Sequence, residues 1–443
     1  MDENIVVVAK GKTKTLYELP DRPGVVLVRS GNEITKNDDP DATKLMESKA
    51  LHATSTTCAI FSLLKAAGIP VAFLERTSPT EFLAPKCKMI QLEVIMRRYA
   101  PLKSSYIMRR PDLERAAGEL PHRFHRLMFE LFLKTTSGEI RNRYGEVVGK
   151  MPNDCLEIER KKPVDDPLLV DCADGIWELR HPKIPSWDDR SKFDMHINMG
   201  DVLPNSVTVE MIEELARKTF LVLEGAWSQL GCRLIDFKIE FGLGPNGELL
   251  VADVIDNDSW RLRDSNWQEL SKQLFRDNAD MSQIADKYAL VANLTSRLTI
   301  PQQAIVLWRG SKDDDLPEVP VLAGIEGIKI IDSGHKSPGI CLSSLEDVLA
   351  TYPEGGVVLA LVGMSNGLGP TLAARTSWPV IGVAITAGNH PEDVWSNLRM
   401  PRQVPMVTVL SPTNAVLAAL NILAQKNPVA YMHRQYAIEK LDK

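Results

Sequence analysis

The chain has 443 residues, more than one ordinary hydrophobic core serves, so two domains are expected. Hydrophobic residues make up 44% and charged residues 25%, with no apolar run long enough to span a bilayer, which excludes a membrane-spanning protein and a disordered chain. A formal net charge of −6 argues against a protein built to coat nucleic acid, while leaving room for local basic pockets that hold small anions.

The amino terminus, Met-Asp-Glu-Asn, lacks the basic and apolar regions of a signal peptide, and the six cysteines show no Cys-x-x-Cys spacing. A reducing cytosol is expected. Residues 6–17 read as two short strands around the basic turn Lys10-Gly11-Lys12-Thr13-Lys14. Glycine lets backbone amides approach a phosphate and lysines add point charges, so this is either a phosphate lid or a solvated Lys-rich hairpin. Apolar residues recur at helical spacing over 41–67 (Leu45, Leu51, Cys58, Phe61, Leu64), and Gly68-Ile69-Pro70 stops that helix. Residues 89–98 form a strand ending in Arg97-Arg98, followed by the basic loop Lys103-Ser104-Ser105-Tyr106. Paired arginines on a buried strand call for an anion, either a phosphate matching the guanidinium fork or an acidic neighbour.

Residues 135–203 are charged and irregular, with weak strand signals at 144–148 and 177–179. From Ser206 an amphipathic helix carries Ile212, Leu215, Phe220, Leu223, Trp227 and Leu230 on its core face and ends at Gly231. Over 234–261 the charges Asp236, Lys238 and Glu240 alternate with Ile235, Phe237, Ile239 and Phe241, the period of a strand with one polar face. A tight turn centred on Asn246 and Gly247 would place Asp253 directly opposite Glu240. Carboxylates ~5 Å apart across strands repel unless a cation lies between them, and magnesium is held by one or two carboxylates plus water and phosphates. The alternative is a solvated face neutralised by Lys238. Asp256, Asp258 and Arg261 add more charge than a structural hairpin needs.

A helix over 284–298 and Pro301 mark a boundary, after which 304–308, 328–331, 357–362, 380–385 and 406–410 are compact apolar strands. Such strands separated by helix-length segments signal a doubly wound parallel sheet, whose ligands bind beyond the strands' carboxyl ends. There lie Arg309-Gly310-Ser311-Lys312-Asp313-Asp314, Ser333-Gly334-His335-Lys336-Ser337-Pro338 and Gly363-Met364-Ser365-Asn366-Gly367-Leu368-Gly369-Pro370.

The run Lys238-Ile239-Glu240-Phe241-Gly242 with Asp253, Asp258 and Arg261 closely resembles the signature of the SAICAR synthetases, ligases of purine synthesis. The resemblance implies magnesium at Glu240 and Asp253, nucleotide substrate at Asp258 and Arg261, ATP phosphates at Lys12 and Lys14, and a further donor to the transferring phosphate in Lys238. It also implies that Arg97 and Ser105 bind the substrate 5′-phosphate, Ser105 after an insertion at Pro101-Leu102 and within Lys-Ser-Ser where Thr-Gly-Ser is usual.

The three strand-end loops resemble those of the aminoimidazole ribonucleotide carboxylases, Gly-Ser-x-Ser-Asp, Ser-Ala-His-Lys and Gly-Arg-Ser-Asn-Gly-Leu-Gly-Pro. Gly310, Ser311, Asp314 and Ser333 would then bind nucleotide, Lys336 with Ser365 and Asn366 would line the carbon dioxide site, and His335 would move the proton at the carboxylated carbon. This half departs from the pattern at Asp313 (usually Ser), Gly334 (usually Ala) and Met364 (usually Arg), and Pro317 and Pro320 should truncate or break its first helix.

Synthetase followed by carboxylase is the order of the animal bifunctional enzymes. The resemblance implies an α+β ATP-binding domain over 1–270, a connecting helical segment over 271–300, and a flavodoxin-like α/β domain with a carboxyl-terminal helix over 301–443. Its substrates would be aminoimidazole ribonucleotides, carbon dioxide, L-aspartate and ATP, in a cytoplasmic homo-oligomer, an octamer by resemblance, with no nucleic-acid or membrane partner. Two rivals stay open: a synthetase whose second half is a non-catalytic assembly module, and a kinase-like nucleotide binder carrying an unrelated domain.

Overall fold

A computed structural model describes residues 6–441 apart from 12, 37–38, 117, 158–160, 173, 278, 313, 333 and 335, and it divides into the units Met1–Leu298 and Thr299–Leu441. Arg233–Leu243 is the spine of the first unit. Leu92–Tyr99 pairs along one edge, Trp260–Arg263 and then Leu249–Ala252 along the other, within a nine-stranded sheet continued by Arg123–Leu133, Leu168–Asp171, Ile176–Arg180 and Lys192–Asn198. Residues directly opposite in antiparallel strands share a face, and Asp236 is opposite both Arg97 and Arg261. That face therefore gathers charge from four strands, adding Lys238 and Glu240 on the spine, Glu93, and Glu130 on Arg123–Leu133.

The other face is apolar and is covered by the helix Val209–Gln229, whose Phe220 ring lies 5.2 Å from that of Phe237 and whose Trp227 lies 5.5 Å from Trp260. The Thr208 side chain accepts from the Met211 amide to start this helix, and left-handed Gly231 follows its end. Ile212, Phe220, Leu223 and Trp227 are buried as the periodicity requires, each contributing ~1.5–3 kcal/mol by burial.

A second, antiparallel sheet orders Val6–Lys10, Lys14–Glu18, Val25–Ser30, Glu81–Pro85 and Glu75–Ser78. Helix Lys49–Ala66 backs it, with the rings of Phe61, Phe73 and Phe82 tilted against one another at centroid distances of 6.0 and 5.9 Å. The helix starts later than its spacing suggested, because Asp39–Leu45 is a strand paired to Glu33–Lys36; Pro40 disfavours helix in the residue before it, and Leu45 ends up 72% exposed. Helix Met281–Thr295, in the segment expected to connect the domains, packs within the first unit through a cluster of Ile34, Met46, Phe275, Ile284 and Tyr288. In 135–203 the signal at 177–179 is the strand Ile176–Arg180, and the structure adds to the sheet Leu168–Asp171, only four residues long, and Lys192–Asn198, whose residues are largely polar.

The second unit is a parallel sheet in the order Ile325–Ile331, Gln303–Arg309, Gly356–Val362, Val380–Ala384, Val407–Thr408, so the second strand lies outside the first, as in flavodoxin-like folds. Its strands read as unbroken apolar runs because both faces are covered. Ile305, Leu307, Leu359 and Leu361 meet the helix Pro412–Leu423, while Val306, Trp308, Val358 and Ala360 meet Pro338–Thr351 and Leu368–Ala373. No helix forms among the described residues of 310–324, where Pro317 and Pro320 lie; Leu316, Val319 and Leu322 pack on the core from an extended segment.

Candidate active sites

In the first unit a cavity of about 350 Å³ is walled by Val8, Leu16, Val26, Val28, Ala72, Ala84, Met89 and Ile90, with Lys14, Lys134, Glu240 and Asp253 among its polar lining. The two carboxylates reach it by a different register from the one expected. Leu243 pairs with Leu249 across a five-residue loop in which Gly244 N–H donates to the Glu248 carbonyl at 2.9 Å, so Glu240 faces Ala252. A continued ladder would set Asp253 opposite Ile239, on the apolar face. Instead Asp253 is left-handed (φ 69°), a conformation Asp tolerates better than most residues, and the kink brings it to the cavity beside Glu240.

Each carboxylate meets a lysine: Lys14 donates to Asp253, Lys134 to Glu240 at 2.5 Å, and Lys238 to Glu93 at 2.5 Å. Burial, and then the Asp253 charge, hold the Glu240 carboxyl above the usual range. Burial and Glu93 likewise push Asp166 up to about 7, where it accepts from the Thr135 amide at 2.9 Å next to Lys134. Lys12 lies outside the described residues.

Further along the charged face, Asp236 accepts from Arg97 and, at 2.6 Å, from Arg261, while Glu130 accepts from Arg97 Nε at 2.9 Å and from Arg109. Arg97 also sits 4.9 Å over the Tyr106 ring. Arg98 points to the other face and forks onto Glu224 at 2.7 and 2.9 Å. Both arginines thus have acidic neighbours. The Nε of Arg261 is buried with no partner among the described residues. Ser105 opens the short helix Ser105–Arg109, which Ser104 caps. Asp258 accepts from Lys49 at 3.1 Å, Lys272 at 3.2 Å and the Tyr288 hydroxyl. Burial, and then the Asp258 charge, push neighbouring Asp256 up to about 6.

In the second unit, Arg309 donates to the carbonyls of Lys312 (3.0 Å) and Asp314 (2.6 Å), and the Asp314 carboxylate accepts from the Ser311 amide at 3.1 Å, closing the Gly310–Asp314 turn. Asp313, Ser333 and His335 lie outside the described residues. The 333–336 and 363–370 loops touch through Gly334, where a Cβ would lie 2.9 Å from Leu368 Cα and 3.0 Å from the Gly367 carbonyl. Lys336 and Ser365 are exposed, whereas Asn366 is buried; its amide donates to Asn397 Oδ1 at 2.7 Å and its carbonyl accepts from the Gly369 amide at 2.7 Å. Met364 is left-handed and exposed, and its amide donates to Thr386 Oγ1 and Asp393 Oδ2, both at 3.1 Å.

Residues 7–143 and 184–293 match the profile of SAICAR synthetase, and residues 322–440 that of AIR carboxylase. The chain is 30% identical over 441 residues to the Homo sapiens bifunctional phosphoribosylaminoimidazole carboxylase/phosphoribosylaminoimidazole succinocarboxamide synthetase, covering 95% of this chain and 91% of that one. It belongs to this bifunctional family. The Caenorhabditis elegans probable multifunctional protein ADE2 is 30% identical over 97% of this chain and 92% of its own. The phosphoribosylaminoimidazole-succinocarboxamide synthase of Chloroflexus aurantiacus is 34% identical over 66% of this chain and 96% of its own, and so resembles the synthetase part alone.

Of the expected site residues, Lys14, Glu240 and Asp253 meet at the cavity, Asp253 through its kink rather than by strand alternation. Lys238 lies on the same charged face paired with Glu93, Arg97 and Arg261 meet on Asp236 farther along it, and Asp258 is held separately by Lys49, Lys272 and Tyr288. Sequence reasoning missed Lys134, Glu93, Asp166, Lys49, Lys272 and Tyr288. The alternation Glu130, Phe132, Lys134 was a usable signal for Lys134, since Phe132 is opposite Glu93. Asp166 carried none, because it comes from the stretch 144–183 that the synthetase profile leaves unmatched.

Proposed function

We propose that the first unit binds ATP in the 350 Å³ cavity, with the base against its apolar wall and the phosphates toward Lys14 and Lys134. The chain as a whole is a bifunctional enzyme of purine biosynthesis, a carboxylase and an ATP-dependent carbon–nitrogen ligase. The observation that carries the site reading is the pair Glu240 and Asp253, two carboxylates that meet at the polar lining of an apolar pocket. There burial and the Asp253 charge hold the Glu240 carboxyl above its usual range, while Lys14 outweighs burial and holds Asp253 below its own. Such a pair of oxygen donors suits Mg²⁺, which when bound would neutralise charge on the transferring phosphate.

The chain's own residues divide the remaining work. Lys14, Lys134 and Lys238 offer donors to phosphate oxygens, a contribution that grows as charge develops there. Arg261, with a free buried Nε, and Arg97 beside it hold the anionic end of the nucleotide, and Asp258 takes its hydrogen-bond donors. The nucleotide carboxylate oxygen attacks the γ-phosphorus and ADP leaves; the aspartate amine then attacks the acyl carbon, phosphate leaves with that oxygen, and the amine gives up its proton as the amide forms. In the second unit the Gly310–Asp314 turn and Ser333 bind nucleotide, Lys336 and the Ser365–Asn366 loop face carbon dioxide, and His335 moves the ring proton. That assignment rests on the loop sequences and on the contact between the 333–336 and 363–370 loops.

We also propose a cytosolic homo-oligomer; all six cysteines are free thiols, and no helix of the described residues is long and apolar enough to cross a membrane. The test of the synthetase reading is stoichiometry. Supplied with carboxylated nucleotide, ATP, magnesium and aspartate, the chain should release one ADP per SAICAR. ADP release indifferent to both nucleotide and aspartate would overturn it in favour of a kinase-like nucleotide binder.

A further inference from the structure

Three segments remote in sequence converge on one carboxylate at the edge of the synthetase site. Lys49 is the first residue of helix Lys49–Ala66, Lys272 precedes a short helix, and Tyr288 stands in the middle of helix Met281–Thr295. Lys49 Nζ (3.1 Å) and Lys272 Nζ (3.2 Å) reach Asp258 Oδ2, and the Tyr288 hydroxyl donates to Asp258 Oδ1. Lys49 is 1% and Tyr288 2% exposed, whereas the Asp258 side chain keeps 19% of its surface open. The protein therefore supplies donors from behind and leaves the front of the carboxylate accessible. A carboxylate accepts about four hydrogen bonds, so three protein donors leave acceptor capacity on the open side.

We infer that Tyr288 is a positioning residue for the ligase reaction: with Lys49 and Lys272 it fixes Asp258 so that the unused lone pair meets a hydrogen-bond donor of the nucleotide substrate. This rests on the proposed reading of Asp258 as a nucleotide ligand. An acceptor-only carboxylate repels phosphate and carboxylate, so what it takes is a hydroxyl or amine of the nucleotide. Burial alone would raise its proton affinity, but Lys49 and Lys272 outweigh that and hold the Asp258 carboxyl well below the usual range, so it stays an acceptor. The Tyr288 ring is already packed against Ile34, Met46, Phe275 and Ile284, and phenylalanine would fill that space equally. What the hydroxyl adds is direction at Asp258.

The experiment uses the full chain carrying Tyr288→Phe, Asp258→Asn or both, with separate KM values for carboxylated nucleotide, ATP and aspartate. Tyr288→Phe should raise the nucleotide KM on the order of tenfold, while the ATP and aspartate KM values, the carboxylation rate and the melting temperature stay near wild type. Asp258→Asn should raise the nucleotide KM at least as much, and the double variant should be no worse than Asp258→Asn, because the tyrosine acts only through the carboxylate. If Asp258→Asn leaves the nucleotide KM unchanged, the ligand reading itself falls. If Asp258→Asn raises it and Tyr288→Phe does not, the ligand reading stands and the positioning role falls. Equal rises in all three KM values, or additive effects in the double variant, would make Tyr288 a packing residue and overturn the inference.

Discussion

Replacing Asp253 by asparagine removes one of the two carboxylates at the cavity while leaving the local backbone unchanged, because asparagine accepts the left-handed conformation (φ 69°) as readily as aspartate does. The effect on charge can be sized. Two unit charges ~4 Å apart at an effective dielectric of ~20 interact by ~4 kcal/mol, which corresponds to ~10³ in rate if felt only in the transition state. Some of this is returned, since Glu240 loses a like-charged neighbour and its carboxyl falls back toward the ordinary range, and Lys14 is freed from its ion pair. A net loss of ~10²-fold or more in kcat is expected for ATP- and aspartate-dependent SAICAR formation at saturating magnesium. Carboxylation by the same preparation should be untouched, and the melting temperature should hold or rise slightly. Ligase turnover within a few-fold of wild type would refute the assignment of Asp253 to the metal.

Arg97→Ala should raise the nucleotide KM far more than that of ATP and, by stripping a buried partner from Asp236 and Glu130, should cost ~3–5 kcal/mol in urea unfolding; a loss under ~1 kcal/mol would mean the ion pairs are not integral to the sheet. Asp166, facing Glu93 and Lys238 with Asp165 alongside, has a folded-state pKa of about 7, above its unfolded value, so the wild type binds a proton on folding and loses stability as pH rises from ~4 through 7. Asp166→Asn should accordingly melt above wild type at pH 8, with the gap closing near pH 4; parallel melting curves across that window would show that the shift is absent. Gly334→Ala installs the residue usual in the carboxylase family, yet its Cβ would meet Leu368 backbone at 2.9 Å, so carboxylation should fall by an order of magnitude with synthetase activity intact. Unchanged carboxylation would show that the 333–336 and 363–370 loops do not need their close approach.

The elements legible in the sequence were those with a single strong periodicity. The helix Val209–Gln229 and the five strands of the parallel sheet announce themselves because burial on one stripe, or on both faces, leaves an unambiguous apolar pattern. The spine strand was legible for the same reason, and so were its charges. The register of its hairpin was not. One residue of loop length decides whether Asp253 falls opposite Glu240 or one place beyond the ladder, and the Gly-Pro-Asn-Gly turn fits either. Lys49, Lys272 and Tyr288 were hidden because they approach Asp258 from separate segments, and nothing local in a lysine or tyrosine on a helix marks a long-range partner. Within 135–203 the signal at 177–179 was legible and is the strand Ile176–Arg180, whereas Leu168–Asp171 and Lys192–Asn198 escaped notice because pairing at an already formed sheet edge needs little apolar patterning of its own.

The central claim is that one chain carries two consecutive activities, and a single measurement addresses it. The full-length protein is given aminoimidazole ribonucleotide, bicarbonate as a source of carbon dioxide, ATP, magnesium and aspartate, with no carboxylated nucleotide supplied, and SAICAR is quantified over time. SAICAR should accumulate after a short lag, and His335→Ala should abolish it while leaving SAICAR formation from supplied carboxylated nucleotide intact. SAICAR formed only when carboxylated nucleotide is supplied would contradict the bifunctional account and make the second unit a scaffold.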